Sequence, residues 1–179
     1  MVVVQTNAVD GTIASYNVGG ALASLFNYMP PDGLSGVTSN FFRESGVVSA
    51  EDLDVSVGGI GYPCRAMFYG CASLIAAPTL SASTLRPYAY LDMFRNCTAL
   101  TKAPALPAPI MTNYCYERMF KGCTALVDMP VIGATITANY CCEEMFADCT
   151  ALATAQPLWA PTMSLQCYKN MFKNCTALV

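Results

Sequence analysis

The dipeptide Met-Phe stands at Met67-Phe68, Met93-Phe94, Met119-Phe120, Met145-Phe146 and Met171-Phe172, each copy 26 residues after the last, with no insertion or deletion. Cys71, Cys97, Cys123, Cys149 and Cys175 keep the same step, as do Leu74, Leu100, Leu126, Leu152 and Leu178. An aliphatic residue follows at Leu80, Leu106, Ile132 and Leu158. A tyrosine opens the unit at Tyr62, Tyr88, Tyr114 and Tyr140, and Gln166 replaces it in the fifth. A unit this short cannot bury its own apolar side chains, so copies must stack and share a core. Equivalent residues then form columns of like side chains, with about 4.8 Å between paired strands.

Within one unit, Cys115, Met119 and Cys123 are spaced i, i+4, i+8, and Tyr116 and Phe120 i, i+4. This spacing predicts a short helix with an apolar face and with Glu117, Arg118 and Lys121 turned outward. Gly70, Asn96, Gly122, Asp148 and Asn174 follow it, and these residue types tolerate a left-handed backbone, which would end the helix. Ala125 to Ile132 reads as a short extended segment, with Pro78, Pro104 and Pro130 marking a strand end or bulge. The expected architecture is therefore a repeat solenoid, leucine-rich-repeat-like, with a short helix plus a short parallel strand per 26-residue coil. It spans 61–179 in five Met-Phe units.

The pattern Leu-x-x-Ala-Pro-x-Leu-Pro, an aliphatic, then Met-Phe-x-Gly-Cys-Thr-x-Leu, is similar to BspA-like leucine-rich repeats, where the dipeptide is usually Ala-Phe. Leu100, Ala103, Leu106, Ile110, Phe120 and Cys123 stand at that family's core positions. The resemblance implies a curved solenoid used for adhesion or recognition, with no catalytic residues. Members commonly carry a secretion signal, whereas Met1 to Asn7 lacks a positive n-region and a long apolar core.

Residues 1–60 do not match the repeat and form a small irregular N-terminal segment holding eight of the twelve glycines. They carry six acidic side chains and one basic one, Arg43, whereas 61–179 carry eight basic and six acidic. Val2-Val3-Val4 reads as a strand. Val18 to Met29 reads as a helix with Leu22, Leu25, Phe26 and Met29 on one face, and Pro30-Pro31-Asp32-Gly33 as the turn that ends it. Phe41 and Phe42 add to an apolar set too small for an independent core. Two compatible readings follow: a cap over the first coil, or an anchoring and oligomerisation segment packing on other chains through Leu22, Leu25, Phe26, Met29, Phe41 and Phe42, most plausibly as a trimer in a fibre.

Composition narrows the function. Hydrophobic residues make up 54% and charged residues 12%, which fits folding and assembly and not disorder. Neither half is basic enough for a nucleic-acid surface, and no apolar run is long enough to span a membrane as a helix. The absence of histidine removes His-based acid–base chemistry and Cys–His pairs. The ten cysteines follow the repeat and not paired zinc spacing, so they read as buried reduced thiols, with no metal and no cofactor. Glu143-Glu144 reads as a solvated face, and Asn96 and Asn174 as turn residues despite their Asn-x-Thr context. Trp159 is a candidate surface-contact residue.

The expected function is non-enzymatic: a structural or recognition protein, a virion fibre or attachment protein with an N-terminal anchor and a repeat arm. Its partners would be further copies of itself, capsid or tail proteins, and a host surface receptor or glycan. Virion proteins assemble in the host cytoplasm and need no export signal. The alternatives are a BspA-like adhesin of the bacterial cell surface and a cytosolic interaction scaffold.

Overall fold

A computed structural model describes residues 3–9, 12–21, 40–55 and 64–179. Stacking is explicit in it. The rings of Phe42, Phe68, Phe94, Phe120, Phe146 and Phe172 lie one above another, with centroids 5.1, 5.5, 5.5, 5.5 and 5.9 Å apart and planes within 16° of parallel. Leu74, Leu100, Leu126 and Leu152 are wholly buried beside them, as are Met67, Met93, Met119 and Met145. Parallel bridges join successive coils at Lys102–Asp128, Asp128–Thr154, Leu106–Ile132 and Ile110–Ile136. Pro104 and Pro130 lie between bridged positions. A residue without an N–H there reduces the strand ladder to isolated contacts.

The expected helix is absent: no helix occurs among the described residues. In its place each coil carries a ribbon of overlapping turns. In the first, the N–H groups of Met67, Tyr69 and Cys71 donate three residues back, to the carbonyls of Cys64, Ala66 and Phe68. The N–H groups between them, of Ala66, Phe68 and Gly70, donate instead to Leu91, Met93 and Arg95 of the next coil. Alternate donors thus serve the turn and the stack, which leaves none for an i to i−4 ladder.

This alternation requires a left-handed residue at every fourth position. Gly70, Asn96, Gly122, Asp148 and Asn174 form one such column, with φ between 61° and 76°. Ala66, Asp92, Arg118, Glu144 and Asn170 form a second, and Tyr88, Tyr114, Tyr140 and Gln166 a third. Side chains with a Cβ are disfavoured in this conformation by about 1–2 kcal/mol each. The hydrogen bond that each of the inner-coil residues gives to the next coil offsets that cost.

The stack begins earlier than residue 61. Asn40 and Glu44 are left-handed, with φ of 59° and 53°, and the N–H groups of Asn40, Phe42 and Glu44 donate to Arg65, Met67 and Tyr69. Residues 40–45 thus form a coil in register, with Phe42 under Phe68 and Ser45 under Cys71, and a one-residue offset after it brings the buried Val47 to the Leu74 position.

Four strands flank this first turn. β1 (Val3–Val9) pairs antiparallel with β2 (Thr12–Ala21), β2 pairs parallel with β3 (Val47–Val55), and β3 pairs parallel with β4 (Thr79–Leu80). The helix expected from Val18 fails over 18–21, which belong to β2. Paired strand backbone satisfies both of its polar groups across the sheet, which overrides a weak helical periodicity.

Candidate functional site

The cysteines are structural donors. The thiols of Cys71, Cys97, Cys123, Cys149 and Cys175 donate to the carbonyls of Phe42, Phe68, Phe94, Phe120 and Phe146, at 2.9–3.1 Å. Those carbonyls also accept the N–H groups of Ser45, Cys71, Cys97, Cys123 and Cys149, so both lone pairs of each oxygen are used. The role needs protonated sulfur. Burial supplies that by pushing the thiols of Cys97 and Cys123 well above their ordinary range and Cys149 up to about 12. A second column, Cys115, Cys141 and Cys167, is also buried, and Cys142 lies against the Met111 sulfur at 3.7 Å. Among the described residues no disulfide joins the cysteines, and no three metal-ligating side chains converge.

The ribbon face is charged and internally paired. Arg118 meets the Asp92 carboxylate with Nε at 3.0 Å and Nη2 at 3.3 Å, and Arg95 adds a third contact at 3.3 Å. Arg118 also reaches Glu117 at 2.8 Å, Lys121 reaches Glu144 at 2.6 Å and Lys169 reaches Glu143 at 3.0 Å. Glu143 and Glu144 are thus partners of lysines in the neighbouring coils. Arg43 and Arg95 approach the Tyr69 ring at 4.4 and 5.6 Å. Tyr88, Tyr114 and Tyr140 stack at 4.7 and 4.9 Å along the same face. Asn96 and Asn174 hold left-handed turn positions, as their residue type predicts.

Of the sequence-named anchor, the structure describes only Phe41 and Phe42. Leu22, Leu25, Phe26 and Met29 lie outside the described residues. Phe42 is 6% exposed and belongs to this chain's own core, which removes it from any surface offered to other chains. Phe41 is 44% exposed and packs edge-on against Phe42. Trp159 is 62% exposed, and Ile110, Val131 and Ile136 are also exposed on the return segments.

A feature that sequence reading missed lies between the flanking sheet and the regular coils. A cavity of about 530 Å³ opens there, walled by Glu51 of β3, by Ile75 to Leu80, and by Lys102 to Ala105. No β-bridge or backbone hydrogen bond joins residues 75–80 to 101–106, whereas the next pair of coils is bridged at Lys102–Asp128 and Leu106–Ile132. Ser49 pairs with Ala76 and Asp54 with Thr79, so β3 slips by two residues against the first return segment. No motif marks such a slip.

No protein-family model, curated protein or solved structure matches this chain.

Proposed function

We propose that this chain is a non-enzymatic structural and recognition protein, a leucine-rich-repeat-type solenoid that serves as a virion fibre or attachment arm carried by its N-terminal part. The observation that supports it best is the unbroken column of six phenylalanines with its matched thiol column. Nearly every buried side chain and every shifted thiol is consumed in holding one coil to the next. Asp92, Glu143 and Glu144 likewise pair with cations of neighbouring coils. Side chains committed to stacking build a scaffold whose exposed columns do the recognising.

The resemblance to BspA-like repeats points the same way, since that family uses its surface for adhesion. In this reading Leu22, Leu25, Phe26 and Met29, with exposed Phe41, carry the attachment to capsid or tail proteins or to further copies of the chain, and the coils face the host receptor or glycan. Burial of each such side chain contributes roughly 1.5–3 kcal/mol to assembly.

Immunogold labelling of lysates and cells from the producing culture tests the reading, using antibody raised against the chain. Label on particles is the expected result. Label confined to the bacterial envelope would favour a surface adhesin, and label spread through the cytosol would favour a scaffold. The anchor is tested separately: Leu25→Glu with Phe26→Glu should release the chain from its assembly without lowering its melting temperature.

A further inference from the structure

The groove between β4 and residues 102–105 has three properties that converge. First, β4 is the outer strand of its sheet, and its far side makes no backbone pairing with the coil beyond it. An edge strand with open N–H and C=O groups is a template for one more strand. Second, its lining is mostly apolar, with four alanines, Ala76, Ala77, Ala103 and Ala105, that let another backbone approach between the bulkier Ile75, Leu80 and two prolines. Third, Glu51 and Lys102 line the same groove, yet no ion pair joins them or links either to any other described side chain. On the ribbon face, by contrast, Asp92, Glu117, Glu143 and Glu144 have cationic partners within 3.3 Å.

The geometry points to a peptide-binding groove: an extended segment of a partner protein enters along the free edge of β4, with a basic side chain toward Glu51 and an acidic one toward Lys102. Backbone pairing with the one residue of β4 whose N–H and C=O face away from β3 would supply part of the affinity, and the two opposite charges would supply orientation. The cavity has room for a few residues, as a short linear segment requires. The inference rests on the groove alone and holds whether the arm belongs to a virion, an envelope or the cytosol.

The test is selection of a random heptapeptide display library on the full-length chain, followed by titration of synthetic winners. Enriched peptides should carry one acidic and one basic residue among β-branched neighbours. They should perturb the amide resonances of residues 75–80 and 102–105. Glu51→Lys and Lys102→Glu should each weaken binding about tenfold while leaving the melting temperature unchanged. N-methylation of the peptide backbone should abolish binding. A selection that enriches nothing would overturn the proposal. So would winners indifferent to both charge reversals, or resonance changes confined to the tyrosine column.

Discussion

Each core phenylalanine acts twice, through a ring that packs between two others and a carbonyl that holds an N–H and a thiol. Phe120 is fully buried between Phe94 and Phe146 and accepts the Cys149 thiol. Phe120→Ala should lower stability by about 3–5 kcal/mol, because neighbours locked in columns cannot collapse into the space. Chemical denaturation would measure it, and a loss below about 1 kcal/mol would contradict the shared core. Charge at this scale has a pH signature. The hydrogen bond from Lys121 holds the Glu144 carboxyl below its ordinary range. Glu144 therefore contributes stability above the unfolded glutamate pKa, about 4.3, that is lost as pH falls through its depressed folded value. Burial raises Glu117, whose effect has the opposite sign, since its contribution fades as pH rises through its folded value. Thermal melts between pH 7 and pH 3 should show a smaller acid loss for Lys121→Met than for the unchanged chain.

At the level of elements, the turn ribbon resembles a helix in sequence because its period is four. Cys115, Met119 and Cys123 line one face in both. In a helix a strict four-residue step drifts by about 40° each time, whereas in the ribbon it does not drift at all. The left-handed column of Gly, Asn and Asp was legible, since those residues favour that conformation. The other two columns were not, because beside Asp92 and Asn170 they hold Ala, Tyr, Arg, Glu and Gln, which have no such preference; those before the last coil are held there by bonds to the next. Gln166 separates the two structures by sign. It is exposed, its φ is 52°, and its side chain contacts only Lys169, at 3.0 Å. Gln166→Gly should stabilise the ribbon by about 0.5–1 kcal/mol by removing the left-handed penalty. The same change in a helix would cost a similar amount. The first coil hid for a related reason. Phe41-Phe42 stands 26 residues before Met67-Phe68, but Ser45 replaces the cysteine that marks the others, and Val47, one residue off the period, replaces the leucine. The groove at β4 depends on a strand register that no single residue encodes.

Across the whole molecule, the apolar columns are nearly interchangeable from coil to coil, so they cannot by themselves fix which coil lies on which. Charge does that. The column Asp92, Arg118, Glu144 alternates in sign, and Lys121 adds a second cation beside Glu144. Removing residues 114–139, one full period, would join Asn113 to Tyr140 and set Phe146 over Phe94 and Cys149 over Cys97, with every ring and thiol again in register. It would also set Glu144 against Asp92, like charge on like, with Arg118 gone and Arg95, in the place of Lys121, the one cation left to serve both. The shortened chain is expected to fold, because each coil needs only its neighbours, and to melt lower than its length alone dictates. Glu144→Arg should then act in opposite directions. In the shortened chain it restores a pair with Asp92 and raises stability, by about 0.5–1 kcal/mol. In the full chain it loses Lys121, faces Arg118 and lowers stability by a similar amount. Calorimetry on the four proteins decides the matter. The same sign in both backgrounds would mean that the charge column does not order the coils, and a shortened chain that fails to fold would mean that the coils are not the modular units their shared columns imply.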